Sequence, residues 1–220
     1  MTTTAQYLVK ECQTALMDLA GVRWPASDLV AYLNDGQRDL ILARPDANAV
    51  TASFVPVAGS RQALPSASMS LIDIPRNTSG NKRAIRKIAI EDLDSINRDW
   101  RSMTGATEFA HFAYDPREPN IFDVYPPAAA SGASIEVTYG AYPTDVSAPS
   151  GDGKAYSTVT GNISVNDQWA TALYNYAMAR AYAKDVEYGG NITLSSAYMQ
   201  AFTGLIGVQL QSSQTVGPKN

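Results

Sequence analysis

The sequence predicts an α+β protein: a discontinuous helical bundle, with two helices from each end of the chain, and an inserted antiparallel domain of β-sandwich or β-barrel-like type. Apolar residues recur at helical spacing before residue 45 and again after residue 166. Between these two regions, apolar and polar residues alternate in short runs that are separated by turn residues. Helices at the two ends share one core only if the ends meet, so the middle is expected to be an insertion. The expected domains are 1–47 for the first helical half, 48–164 for the β domain with a long loop at 143–164, 165–211 for the second helical half, and 212–220 for a C-terminal tail.

The first helical half is predicted to be an αα-hairpin. One helix is expected over about 4–20, with Gly21 as its stop, and the next begins after Pro25 and runs to about Ala43. The residues predicted to face inward in the first helix are Leu8, Cys12, Ala15, Leu16 and Leu19. Gly36 lies inside the second helix, where glycine costs about 1 kcal/mol relative to alanine, so its presence predicts close approach by another backbone.

The middle of the chain is predicted to consist of strands. They are expected around 50–54, 71–74 and 85–90, in a hairpin of 109–114 with 121–125, and at 135–139, which would complete a meander with that hairpin. One or two helical turns within 91–101 would cover the sheet through Leu93, Ile96 and Trp100.

The last third is predicted to return to helix. Asn166 or Asp167 would cap a helix that runs to Glu187, and Gly189 with Gly190 would break it. A final helix is expected over about 194–211.

Charge and composition favour an assembly component. A formal charge of −4 and a pI near 5.0 argue against a protein whose main role is to grip nucleic acid, because phosphate contacts need a basic surface. Only 17% of residues are charged, so much of the surface is neutral and loses little solvation when a subunit covers it. The sequence shows neither a long apolar run nor the pattern of a signal peptide, and synthesis in a cytoplasm without membrane insertion is expected.

Residues that would carry chemistry are few, so no catalytic, cofactor-binding or metal-binding residues are expected. Cys12 is the single cysteine and His111 the single histidine, which leaves too few ligands for a zinc site. His111 lies within a predicted strand and has no serine motif near it. The glycines at 151–154 lack the spacing of a phosphate-binding loop.

One basic cluster stands out, at Lys82, Arg83, Arg86 and Lys87. Such a cluster is typical of a solvated strand face, and the alternative is contact with an acidic partner or with DNA in a channel. Tyrosines are concentrated in the C-terminal helices, where they suit core edges and interfaces equally.

Several short motifs resemble the head-to-tail adaptors of tailed bacteriophages, the group that contains tail tubular protein A. They are Trp24, Tyr32-Leu33-Asn34-Asp35, Gln37-Arg38, Arg44-Pro45-Asp46, Tyr125-Pro126-Pro127, and the small-residue helix from Tyr174 to Glu187. The resemblance covers nearly the whole chain. It implies a ring of about twelve subunits docked under the portal, with helices packed side by side and a β domain that faces the tail.

The resemblance implies a non-catalytic structural protein in the neck of the virion, made and assembled in the host cytoplasm. Its expected partners are copies of itself, the portal, and a tail or nozzle protein, with DNA only as passing cargo. In the tail, Val216, Pro218 and Lys219 are candidates for contact with the portal or a neighbouring subunit. The alternatives are a head-completion or tail-terminator protein, a β-sandwich ligand-binding module, and a hydrolase of unrecognised type. A binding module would expose clustered aromatic residues in a pocket, and an enzyme would show convergent titratable groups.

Overall fold

The computed structural model describes residues 3–185 and 189–215, and the side chains of the last helix as far as residue 207. The chain forms two units, a helical unit of residues 1–47 and 143–220 and a β unit of residues 48–142. The helices are α1 (Ala5–Ala15), α2 (Ala26–Ala43), α3 (Ile90–Ile96), α4 (Ala170–Lys184) and α5 (Gly189–Thr215). The strands are β1 (Ala49–Phe54), β2 (Gly59–Ala63), β3 (Ser68–Asn77), β4 (Arg86–Lys87), β5 (His111–Ala113), β6 (Ile121–Ala128) and β7 (Ile135–Ala141).

Helix α1 is shorter than predicted. It begins after Thr4, whose hydroxyl accepts the backbone N–H of Tyr7 at 3.2 Å, and it ends at Ala15 rather than near residue 20. The chain turns at Met17, which has a positive φ of 54°. Leu19, predicted to face inward, is therefore in the loop after the helix and exposed.

In the helical unit, α4 packs against α2 on one side and α5 on the other. Leu29, Leu33, Leu40 and Ile41 of α2 and Leu173 and Ala177 of α4 are almost completely buried. A Cβ at Gly36 would lie 2.9 Å from Cδ1 of Tyr176. The predicted close approach at Gly36 is therefore made by an aromatic ring and not by a backbone.

The segment 143–164 belongs to the helical unit, although it was expected at the end of the β domain. Buried amide side chains of α1 and α2 hydrogen-bond to its backbone, which accounts for the placement. Gln13 Nε2 donates to the carbonyl of Lys154 at 2.8 Å, and Gln37 Oε1 accepts from the N–H of Ser164 at 2.6 Å.

The β unit holds two sheets, and among the described residues neither closes into a barrel. One has the order β1-β7-β3, and the other has the order β2-β6-β5-β4. The predicted hairpin of β5 and β6 is confirmed by antiparallel pairing of His111 with Tyr125. The predicted meander is wrong, because β7 pairs with β1 and β3 in the other sheet. The alternation of apolar and polar residues within β7 indicated a strand, but it carries no information about which strands pair with β7.

Both sheets contribute side chains to one core. Ile74, Ile135 and Val137 of the first sheet join Phe112 and Phe122 of the second, and all five are buried. Helix α3 and the following turn form a smaller cluster around Leu93 and Trp100. Ile96, predicted to cover the sheet, is 72% exposed.

The C-terminal helices differ from prediction at their ends. α4 ends at Lys184, three residues before the expected end, and residues 186–188 lie outside the described residues. α5 begins at Gly189, where a break was predicted, and continues to Thr215. Glycine is tolerated at a helix start, and no proline occurs between Gly189 and Pro218. Residues 212–215, predicted as tail, are thus helical.

Candidate interaction surfaces

The two residues most able to carry chemistry are Cys12, which is buried, and His111, which is partly buried. Cys12 is buried, and burial, together with the nearby Glu11 carboxylate, raises the pKa of its thiol to about 12, so it stays protonated at neutral pH. Nδ1 of His111 is buried without a hydrogen-bond partner, and the ring lies 6.2 Å from that of Tyr125. Within residues 3–185 and 189–215, no cluster of His, Cys, Asp and Glu is arranged to hold a metal ion.

The structure divides the predicted basic cluster between two concavities of the β unit. Arg83 and Arg86 line one of about 400 Å³, together with Glu108 and His111. Lys87 lines another of about 600 Å³. Successive side chains of a strand point to opposite faces, which separates Arg86 from Lys87 across β4. Lys82 lies in the preceding turn with a φ of 54° and lines neither concavity.

All four cations of the cluster are exposed, and none forms an ion pair with a described carboxylate. Other arginines of the same unit are paired: Arg61 with Glu118 at 2.6 Å, and Arg76 with Glu136 at 2.7 Å. The cluster therefore keeps its charge available to an external group, with the exception that Lys87 Nζ lies 5.7 Å from the ring centroid of Tyr114.

The larger concavity has mixed charge. Glu91, Asp115, Glu118 and Asp123 line it beside Arg61, Lys87 and Arg117. The Arg61–Glu118 ion pair occupies part of this wall. Opposite charges side by side suit a polar protein surface better than a pocket for one small anion.

Helix α5 provides an unusual surface in the helical unit. Its 27 residues contain no charged side chain. One face packs on α4 through buried Phe202 and Ile206, while Ile192, Leu194, Ala201 and Leu205 are exposed. A solvated helix normally carries charges opposite its buried face, so this composition indicates a second contact surface.

The tyrosines of α4 and α5 form a ring cluster between these helices. The ring of Tyr198 stacks on that of Tyr182 at 5.7 Å and meets that of Tyr174 edge-on at 6.3 Å. Both Tyr174 and Tyr182 are partly exposed, and burial raises the pKa of each, so their hydroxyls stay neutral. From the sequence, these tyrosines could lie either at the edge of the core or at an interface. The structure places them at the edge of the helical core.

A loop after α1 was missed by the sequence analysis. Met17, Leu19 and Val22 are exposed there, and the carboxylate of Asp18 accepts the backbone N–H groups of Val22, Arg23 and Trp24 at 2.7–3.0 Å. An aspartate three residues before Gly21 is typical of such a turn and could have revealed it. The tail candidates Val216, Pro218 and Lys219 lie outside the described residues.

These features define a class of protein whose described residues present an uncharged helix surface and an exposed basic cluster and hold no cluster of metal ligands. The chain belongs to the family described as SU10 adaptor protein, which matches residues 3–219. Family membership makes it a structural adaptor of bacteriophages and thus a component of the virion. No curated protein has a matching sequence. None of the helices described here is long and apolar enough to cross a membrane.

Proposed function

We propose that this adaptor forms a ring of about twelve subunits at the neck of the virion, where it joins the portal to the tail and continues the channel for DNA. The two halves of the helical unit would form one discontinuous bundle, in the manner of tail tubular protein A, and the β unit would face the tail. Membership of the adaptor family supports this role.

The observation that carries the proposal is the uncharged, partly apolar helix α5. Leu194, Ala201 and Leu205 are seven and four residues apart, so they share one stripe of the helix, and all three are exposed. Burying this stripe against another subunit or the portal would remove apolar surface from water without desolvating any charge. If the exposed side of α5 faced only solvent, there would be no physical reason for a helix of this length to lack charged residues.

A second contact involves the β unit. Arg83 and Arg86 are exposed cations without carboxylate partners in the described chain, and we propose that they meet an acidic surface of a tail or portal protein. The net charge of −4 favours a protein surface over DNA as their main ligand. Val216, Pro218 and Lys219 would add a contact with the portal or with the neighbouring subunit.

The test is reconstitution with purified portal. The unmodified chain should form rings on portals in negative-stain images, whereas Ala201→Glu should abolish docking because it places a charge in the α5 stripe. Leu42→Glu is the matched control, since Leu42 is 69% exposed on α2 of the same unit, outside the stripe. Full docking by the Ala201→Glu protein would refute the role of α5. Binding to the tail alone, without the portal, would favour a tail-terminator or other neck protein.

A further inference from the structure

The concavity of about 400 Å³ in the β unit contains two guanidinium groups whose charge the described chain leaves unneutralised. Arg83 and Arg86 are exposed, and neither forms an ion pair with a described carboxylate, although Glu108 belongs to the same lining. The Glu108 carboxylate instead accepts the backbone N–H of Asn81, in the turn before Arg83. The acid of this lining therefore holds the turn and leaves both arginines available to an external anion.

The two stretches of chain that carry these side chains are fixed to each other by a buried amide. Asn77 is completely buried, and its Nδ2 donates to the carbonyl of Arg83 at 3.0 Å and to the carbonyl of Phe109 at 2.8 Å. Its Oδ1 accepts the N–H of Phe109 at 2.8 Å. The backbone N–H of Arg86 donates to the carbonyl of Ala110 at 3.1 Å. The backbone around the concavity is thus ordered before a ligand arrives, so binding costs little conformational entropy.

The rest of the lining combines an imidazole with small apolar groups. His111 of β5 pairs with Arg86 of β4 and lines the same concavity. Directly paired residues of neighbouring strands project from the same face of a sheet, so the imidazole and the guanidinium are neighbours. Ala84, Ala110 and Pro126 contribute apolar lining. This combination suits an acidic side chain, whose carboxylate meets the cationic groups while its methylene groups contact the apolar ones.

We propose that this concavity is a carboxylate-binding site that takes one aspartate or glutamate side chain from an acidic segment of a partner protein. A guanidinium offers parallel N–H groups that bind both oxygens of a carboxylate, which makes Arg83 and Arg86 suitable for this group. Duplex DNA is disfavoured as the ligand, because its successive phosphates would bring further negative charge towards Glu108 on a chain of net charge −4. This inference rests on the second contact of the proposed function, for which it names the group that is bound.

The experiment is an NMR titration of the full chain with hexaglutamate blocked at both ends, and with hexaglutamine as the uncharged probe. Hexaglutamate should shift the backbone amide signals of residues 83–86 and 108–111, whereas hexaglutamine should not. Arg83→Gln and Arg86→Gln should each raise the dissociation constant about tenfold or more. Arg86→Lys should also raise it, because lysine keeps the charge but loses the forked donors. Lys82→Gln is the matched control, since Lys82 is an exposed cation that lines neither concavity, and its effect should stay below about twofold.

Equal losses of hexaglutamate affinity in Lys82→Gln and Arg83→Gln would overturn the proposal, because they would show diffuse attraction of an anion to the whole cluster. Tighter binding of hexathymidylate than of hexaglutamate at the same signals would also overturn it and assign the site to nucleic acid. Docking on portals tests the proposed function separately. If rings form on portals but hexaglutamate shifts none of these signals, this site is wrong and the ring remains. If hexaglutamate binds as expected but no ring forms, the site stands and the proposed ring fails.

Discussion

Asn34 of α2 pairs with the backbone of Val146 in both directions: its Nδ2 donates to the carbonyl at 3.0 Å, and its Oδ1 accepts the N–H at 2.8 Å. The side chain thus replaces a neighbouring strand for one residue of an irregular segment. Backbone groups buried away from water need partners, and the segment 143–164 obtains them from amides on α1 and α2.

Asn34→Ala should lower the free energy of unfolding by about 2–4 kcal/mol, because it leaves the buried N–H and C=O of Val146 unpaired. Urea unfolding of the full chain measures this. Arg38→Ala is the control, since it removes an exposed ion pair to Asp145 of the same segment and should cost less than about 1 kcal/mol. Equal losses in the two variants would contradict the prediction.

Gly36→Ala should destabilise the protein by about 1–2 kcal/mol, although alanine is the better helix former. The new Cβ would lie 2.9 Å from the ring of Tyr176, which cannot easily move because it is buried and its hydroxyl donates to Asp39 at 2.7 Å. In Gly204→Ala a Cβ meets nothing within 4 Å, so that variant should gain about 0.5–1 kcal/mol. A shift of the thermal midpoint in the same direction for both variants would refute this account.

Asp46 should make stability depend on pH through Arg44. The guanidinium donates to both carboxylate oxygens, Nε at 2.8 Å and the second nitrogen at 2.6 Å, and this hydrogen bonding lowers the pKa of Asp46. Because the pKa of Asp46 is lower in the folded protein than in the unfolded chain, its ionised form stabilises the fold. This stabilisation is complete above the pKa of about 4 that aspartate has in the unfolded chain, and it is lost as the pH falls through the pKa in the folded protein.

Asp46→Asn should therefore lower the free energy of unfolding by about 1–2 kcal/mol at pH 7, a value that allows for solvent screening of the half-exposed carboxylate. Below about pH 4 the loss should become progressively smaller. Urea unfolding of both proteins at pH 7 and pH 3 measures the difference. A constant difference between the two proteins across this range would show that the pair contributes no linked protonation.

Arg83→Glu combined with Arg86→Glu should weaken binding to the partner protein about tenfold or more, and the loss should diminish at high salt because the contact is electrostatic. Arg98→Glu is the matched control, since Arg98 is exposed in the same unit and outside the cluster. Binding to purified portal and tail proteins is measured over a range of ionic strength. Unchanged protein binding with reduced binding to duplex DNA would assign the cluster to DNA instead.

Local periodicity predicted most elements of this protein. The apolar spacing of α1, α2 and α4, and the alternation of β1, β5 and β6, follow from short stretches of chain whose buried side is set by nearest neighbours. The basic cluster is also visible in the sequence, where it favours a solvated strand face and leaves contact with a partner as the alternative. The lack of charge in α5 gains its meaning from the length of the helix, which only the structure gives.

Features that depend on distant partners needed the tertiary structure. β2 lacks apolar alternation and is a strand because it pairs with β6, while β7 joins the other sheet because its partners are decided by packing of the whole β unit. The loop at Met17 is fixed by Asp18 and by the approach of Lys154, more than 130 residues away along the chain. Sequence by itself determined which residues avoid water. Only the tertiary structure decided which of these residues find partners within the chain and which remain exposed for another subunit. The reason is that burial within the chain depends on contacts between residues that are far apart in sequence.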